Sequence, residues 1–534
     1  MSSARADLAT GRSDGAAGRG AKDLAAGWEA PVFRKVLVAN RGEIAVRVCR
    51  TLRAMGIPSV TVHSDADRGA PHARAGDESV AIGPAPPAQS YLNAAAILDA
   101  ARRAGADAIH PGYGFLSESA AFAAECRAAG LVFIGPSPES MARLGDKAAA
   151  RRTARECAVP LVPGAEEIDS AERALVEADR VGFPVILKAS GGGGGRGMRL
   201  VSTPEAMAPA FEAARREAKS AFGDERLLLE KYIHPARHIE IQILADAREA
   251  VALGERECSL QRRHQKVIEE SPSVAVASGV RSDMERAAVS LAAAAGYAGA
   301  MTVEFLMGQD GRFYFLEVNT RLQVEHTVTE MRSGLDLVRA QILIAAGRSL
   351  AEALGAQRPR AEGPGASPAP PLRGHAIEAR LCAEDPYHGY LPQTGTILAL
   401  SWPEEDGLRV DSGIADGQTL HPHYDSLLAK VVAFGGDREE ARSKLVRGLR
   451  GTALLGVVTN QSFLIDLLED PAFQRGETFT HTVESREWRE PAGIPDAALA
   501  AVVALSAAPR AAAGGEEETD RYSPWQRLGN WGRA

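Results

Sequence analysis

The sequence predicts a multidomain protein of α/β and α+β class, and three stretches of its 534 residues carry that prediction. Short apolar runs alternate with helical periods between residues 35 and 135, and a run of five glycines separates two strand-like segments near residue 190. A hairpin pattern at 301–318 then leads into a row of polar residues. The composition, 45% hydrophobic and 24% charged, is that of a globular protein. A net charge of −8 argues against general nucleic-acid affinity, and no apolar run approaches the ~20 residues of a membrane span. The five cysteines, Cys49, Cys126, Cys157, Cys258 and Cys382, lie far apart without metal-ligand spacing and read as reduced cytoplasmic side chains.

Residues 1–32 are Ala/Gly/Arg-rich, carry Asp7, Asp14 and Asp23, and lack a secretory apolar core; they read as a disordered leader. KVLVAN (35–40) reads as a strand, RGEIAVRVCRTLRAMG as a helix ending at Gly56, and SVTVHS (59–64) and ESVAIG (78–83) as further strands. ILDAARRAGADAIHPGYG and AFAAECRAAGLVFIG add two helix–strand units. This alternation predicts a parallel, doubly wound sheet. No G-x-G-x-x-G follows the first strand, so dinucleotide binding is not supported. The Gly112-Tyr113-Gly114-Phe115 turn follows the strand at 107–110, placing it at a carboxyl end, where sites of such sheets gather.

From Gly145-Asp146-Lys147 the pattern changes. A helix leads to the VPLVPG stretch at 159–164, another runs to Gly182, and FPVILKAS (183–190) is a buried strand with one charged side chain, Lys188. It enters Gly191–Gly195 and then the strand RLV at 199–201. Those glycines are either a plain flexible hairpin or a loop whose N–H groups close over phosphates, with Lys188 neutralising charge. They are not a Walker A loop, because the lysine precedes them. RLLLEKYI (226–233) and HIEIQILAD (238–246) are strands, the second with Glu240 and Gln242 on one side. Residues 255–270, ERECSLQRRHQKVIEE, are either a charged surface loop or an anion site.

In the hairpin, a turn of Gly308 to Gly311 sets Glu304 opposite Phe315. Glu317, two residues on, is then a diagonal neighbour of Glu304 on the same face, roughly 7 Å away at the backbone. The pair is either the polar face of an edge strand or two carboxylates meeting at a cation. The flanking Phe305, Phe313, Phe315 and Leu316 favour the cation, since acids among such neighbours are costly to bury. Glu317, Asn319, Arg321, Gln323 and Glu325 occupy every second position; eight steps of ~3.3 Å span ~26 Å, so one compact site requires a bend after Asn319.

KASGGGGGRGMR, ERECSLQRRHQKVIEE, EVNTRLQVEHTVTE and HAIEARLCAEDP, in that order, resemble the biotin carboxylase family, a branch of the ATP-grasp enzymes. ANRGEIAVR and HPGYGFLSE (110–118) extend the resemblance from about Val36 to about residue 485. It implies an N-terminal Rossmann-like (pre-ATP-grasp) domain at 33–146 and an ATP-grasp domain at 147–350 with a mobile lid at about 160–234. A C-terminal mixed α+β domain at 351–490 and an Ala-rich helix and tail at 491–534 complete it. By motif, Lys147 and Lys188 would bind ATP phosphates beneath Gly194 and Gly195. Glu230, Lys231 and Ile233 would form the hinge holding the adenine, with His238, Gln261 and His264 as further nucleotide contacts. Glu304, Glu317 and Asn319 would ligate one or two Mg²⁺ or Mn²⁺ ions. Lys266, Arg321, Gln323 and the Val324 backbone would hold bicarbonate, Glu325 would be the general base, and Arg380 would stabilise the biotin enolate.

The implied reaction joins bicarbonate to the γ-phosphate of ATP as carboxyphosphate, then carboxylates biotin. The biotin is expected as a carrier-bound substrate not attached to this chain, since no AMKM-type lysine motif occurs. SPWQRLGNW resembles the stretch preceding the biotinyl domain of acyl-CoA carboxylase α subunits, which implies a split or shortened subunit. The implied partners are a biotin carboxyl carrier protein or domain, a carboxyltransferase and a second copy of the chain in a homodimer. The Pro/Gly-rich connection at 356–371 is longer than the family pattern. Two other readings stand beside this one: another ATP-grasp ligase joining a carboxylate to an amine, and a non-catalytic nucleotide-binding scaffold.

Overall fold

The computed structural model describes residues 32–189, 198–222, 225–263, 265–355 and 369–490. Gly194, Gly195 and His264 lie outside the described residues, as do 1–31, most of the 356–371 connection and 491–534. The first sheet is parallel and built from short strands, buried at its centre and more exposed at its edges. β1 (Val36–Val38), β2 (Ser59–His63), β3 (Glu78–Ala81), β4 (Ala108–His110) and β5 (Val132–Phe133) pair in the order β3-β2-β1-β4-β5. β1 lies at the centre, covered on both faces, so its sequence is apolar without alternation. Helix Gly42–Ala54 contributes Ile44, Val48, Cys49 and Leu52 to the same core as Val36 and Val38. Where strand order reverses, Asn40 Nδ2 donates to the carbonyls of Pro111 (2.6 Å) and Tyr113 (2.7 Å), tying two strand ends into one crevice wall.

A second, antiparallel sheet has the order β6-β9-β7-β8, from β6 (Gly164–Ile168), β7 (Val185–Ala189), β8 (Arg199–Val201) and β9 (Leu227–Lys231). β6 was not anticipated from its GAEEI sequence. Gly164 makes it possible, because a Cβ there would stand 2.1 Å from the carbonyl oxygen of Leu229.

The third sheet is antiparallel and positions the site. It contains β10 (Ala236–Asp246), β11 (Ala250–Arg262), β12 (Gln265–Ser271), β13 (Ala298–Gly308), β14 (Phe313–Asn319) and β15 (His375–Cys382). Strands Leu427–Gly435 and Leu408–Ser412 complete the order β14-β13-β10-β11-β12-β15-(427–435)-(408–412). The β12–β15 pairing, Ile268 with Ala379 and Glu269 with Glu378, carries this one sheet across the division drawn at 350. The polar stretch 255–270 is therefore two long strands and not a surface loop. Helix Ser278–Ala294 shares the core on one side through Met284, Ala288, Leu291 and Ala292.

The hairpin register corrects the expectation. Phe305 pairs with Phe315 and Glu304 with Glu317, so Leu316 is an extra, bulged residue on β14. Phe305 and Phe315 both enter the core, and a regular ladder continued from that pair would have set Glu304 opposite Leu316. The bulge returns Glu317 to the face of Glu304 and opposes the acids directly. β14 ends at Asn319, and a helix begins at His326, so the chain does turn where compactness required it. Among the described residues, no helix is long and apolar enough to cross a membrane.

Candidate active site

Cross-strand pairing places Glu317, Glu304, Glu240 and Arg256 at directly opposed positions on β14, β13, β10 and β11. Strands lie ~4.8 Å apart, so three carboxylates and a guanidinium form a row across one face. Arg256 is fully buried and donates to Glu240 Oε1 (2.5 Å), Gln242 Oε1 (2.7 Å), Thr302 Oγ1 (3.0 Å) and Thr329 Oγ1 (3.0 Å). Lys266, from β12, reaches into the row and donates to Glu240 Oε2 (2.5 Å), Glu304 Oε1 (2.9 Å) and Glu325 Oε1 (2.6 Å). Burial alone would raise these acids, but Lys266, with Arg256 at Glu240 and His238 at Glu304, holds both below the usual carboxylate range. Burial likewise opposes charging His238, yet Glu304, 3.2 Å from its Nε2, lifts the imidazole to about 9.

The turn after Asn319 brings the remaining polar row back onto this cluster. Asn319 Nδ2 and Gln323 Nε2 both donate to Glu304 Oε1, at 2.9 and 3.0 Å. Arg321 Nη2 donates to Asn319 Oδ1 (3.0 Å), and its Nε lies 3.1 Å from Glu118 Oε2. Glu325 is fully buried at the start of helix His326–Ser333, with Oε1 on Lys266 and Oε2 on Arg380 Nη2 (3.0 Å). Burial and Glu240 push its carboxyl up, but Lys266 and Arg380 outweigh them and keep it ionised. Arg380 Nε in turn donates to Glu269 Oε1 at 2.5 Å. Because β12 and β15 are neighbours, Lys266 and Arg380 approach one carboxylate from adjacent strands.

A cleft of about 670 Å³ opens over this face. Lys147, His238, Gln261, Lys266, Glu304, Glu317, Asn319, Arg321, Gln323, Val324 and Arg380 line it, with Tyr113 and Asn40 from the parallel sheet. Glu325 lies behind Lys266 and Arg380 and is not part of the wall. Lys188, Glu230, Lys231 and Ile233 are not brought to this wall. Lys188 donates to Glu230 at 2.5 Å, Glu230 also bonds Arg151, and the Lys231 ammonium is held by the carbonyls of Gly182 (2.9 Å) and Phe183 (2.7 Å). Ile233 is half-buried just beyond β9.

The oxygen donors suit a hard divalent cation. Glu304 and Glu317 oppose each other on the cleft wall, Asn319 adds an amide oxygen, and Lys147 Nζ stands 3.3 Å from Glu317. His238, Glu240 and Glu304 also offer atoms within 4.8 Å of one another, but Lys266 already occupies that space. Sequence reading missed Glu118, Arg256 and Glu269 as site components, along with Glu240 as the centre of the row. The alternation of Glu240 and Gln242 was the signal for that row, while Arg256 and Glu269 lay within the stretch 255–270 and Glu118 closed the motif at 110–118.

Family models match three consecutive segments: "Biotin carboxylase, N-terminal domain" at 32–141, "Carbamoyl-phosphate synthase L chain, ATP binding domain" at 146–353, and "Biotin carboxylase C-terminal domain" at 378–485. A Nostoc biotin carboxylase is 46% identical over 454 residues, covering 85% of this chain and 99% of that protein. The mitochondrial methylcrotonoyl-CoA carboxylase α subunit of Oryza sativa is 50% identical over 454 residues, covering 84% of this chain and 60% of that protein. The chain thus spans about three fifths of such α subunits. Among solved structures, the Campylobacter jejuni biotin carboxylase complex superposes with a TM-score of 0.79 at 40% identity, covering 85% of this chain and 99% of that one. The biotin carboxylase domain dimer of Hydrogenobacter thermophilus 2-oxoglutarate carboxylase, bound to MgADP, ADP and bicarbonate, gives 0.77 at 40% identity, covering 85% and 97%. With those models in order along it and whole biotin carboxylases aligned to it, the chain belongs to the biotin carboxylase family.

Proposed function

We propose that this chain carboxylates biotin with bicarbonate at the expense of ATP, as the biotin carboxylase component of a biotin-dependent acyl-CoA carboxylase. The observation that carries this reading is the convergence of Lys266 and Arg380 on Glu325, beside the acid pair Glu304 and Glu317. Bicarbonate enters between Lys266, Arg321 and Gln323, where two cations fix a small planar anion. Its hydroxyl proton passes to Glu325 as its oxygen attacks the γ-phosphate, giving carboxyphosphate and ADP. Glu325 is a poor base while both its oxygens are held, and an anion that takes over Lys266 as partner frees one oxygen to accept the proton. Carboxyphosphate then releases CO₂ and phosphate; the phosphate takes the ureido N–H proton of biotin, and the nitrogen attacks CO₂. Arg380 stabilises the negative charge on the ureido oxygen, with Glu269 fixing its guanidinium plane. Glu304, Glu317 and Asn319 would hold Mg²⁺ or Mn²⁺, which would supply positive charge against the triphosphate. Lys147, on the cleft wall, adds a cation for the same phosphates.

The partners in this reading are a biotin carrier, a carboxyltransferase and a second copy of the chain. The five cysteines, all free, fit the reducing cytoplasm. The test is ADP release from Mg-ATP that requires bicarbonate and rises with free biotin. A folded preparation in which biotin has no effect, or in which an amine acceptor replaces it, defeats the proposal.

A further inference from the structure

Lys430 is fully buried on strand Leu427–Gly435, directly opposite Arg380 on one side and Asp411 on the other. An ammonium removed from water persists only where it is paired and hydrogen-bonded. Its Nζ donates to the Val324 carbonyl at 2.8 Å, lies 3.4 Å from Glu43 Oε1 and stands 4.0 Å from Asp411 Oδ2. Asp411 already pairs with Arg409 and Arg50 at 2.7 Å each, so Lys430 is not required to neutralise it. Glu43 carries the link onward, since it accepts the hydroxyl hydrogen of Tyr113 on the cleft wall. Three separate segments, 43, 324 and 430, therefore meet at one ammonium beneath the cleft.

We infer that Lys430 is a positioning residue for bicarbonate activation: it fixes the Val324–Glu325 peptide and, through Glu43, the Tyr113 wall. The inference rests on the function proposed above. The Val324 carbonyl shares its peptide plane with the Glu325 nitrogen, so an anchor on that oxygen limits rotation of the turn that presents Glu325 to Lys266 and Arg380. Lys430 is not on the cleft wall, which separates its role from that of Arg380 beside it.

The experiment compares full-length wild type, Lys430→Met and Lys430→Gln. Wild type must first show bicarbonate-dependent, biotin-stimulated ADP release; its absence refutes the function and is read separately. Lys430→Met, which loses charge and donor, is expected to raise the bicarbonate KM at least about tenfold while the ATP KM stays within about twofold. Lys430→Gln keeps a neutral donor and is expected to recover part of that loss, with a rise of about threefold. Equal shifts in both KM values, no shift, or a Gln variant no better than Met overturns the inference and leaves Lys430 a structural charge. If the Met variant does not fold, the Gln variant decides: a rise confined to bicarbonate supports the inference, and no selective rise overturns it.

Discussion

Lys266→Met removes one ammonium that touches three carboxylates and leaves an apolar chain of similar length. Deleting one partner of a buried pair typically costs ~3–5 kcal/mol, because the other charge is stranded. Here each acid keeps another donor: Arg256 on Glu240, Asn319 and Gln323 on Glu304, Arg380 on Glu325. The lower end, about 3 kcal/mol, is therefore expected at neutral pH without nucleotide. At roughly 2 cal/mol/K of unfolding entropy per residue, the compact unit ending at Trp488 loses about 3 °C in Tm. The pH dependence is the sharper test. Burial raises all three acids, but Lys266 and its neighbours depress them below their ordinary value in the folded state. Such groups contribute stability above the unfolded pKa and lose it as pH falls through the folded one. Without Lys266 the folded pKa values rise, so the deficit should be full near neutrality and shrink on acidification. Chemical denaturation of nucleotide-free protein from neutrality down through the ordinary carboxylate range, to about pH 3, measures this. A deficit of the same size at both ends, or none, would refute the assignment of Lys266 as the counter-charge.

Three further outcomes follow from the same geometry. Glu325→Gln should lower biotin-stimulated ADP release by roughly 100-fold or more with the fold intact, read by steady-state kinetics beside circular dichroism. Arg380→Lys cannot engage Glu269 and Glu325 through a planar fork, and should lower kcat for biotin carboxylation about 100-fold with the ATP KM little changed; an unaltered kcat would remove Arg380 from the mechanism. Burial lifts Glu269 to about 7 against the pull of Arg380, with Glu325 adding to the rise. The folded state then keeps a proton that the unfolded chain has released, so wild-type stability should decline from its ordinary pKa of 4.5 toward pH 7. Glu269→Gln should flatten that part of the curve, as thermal midpoints across the range would report.

The parallel sheet was legible because β1 is a short apolar run, β2 alternates Val60 and Val62 with polar residues, and the helices between the strands have a clean 3.6 period. β11 and β12 were not. Both lie inside an eight-stranded sheet, and Arg256, Glu257 and Glu269 are neutralised from neighbouring strands by Glu240, Arg237 and Arg380, so polarity along the chain no longer marks solvent. The partners of Arg256 lie on β10, β13 and the helix His326–Ser333, distances no local pattern encodes. The acid pair of the hairpin was legible as a pair, but its register was not, because nothing in FYFLEV announces which residue is extra. Motif resemblance named Lys266, Arg321, Glu325 and Arg380; the structure adds what holds them, Glu240, Glu118 and Glu269. Lys188, Glu230 and Lys231 sit on the four-stranded sheet away from the cleft wall, a separation that sequence order does not convey.

The bulge at Leu316 has a consequence for how this hairpin tolerates changes in length. Losing Leu316 would straighten β14 yet keep Phe315 on Phe305 and Glu317 on Glu304, since the surplus residue is the one removed. Losing Val318 instead, beyond the bulge, would set Asn319 opposite Val303 and turn its amide toward the apolar core. Two deletions a couple of positions apart, identical in size, would therefore sort into one tolerated and one ruinous, and a length scan along 313–319 would reveal the strand's single spare link.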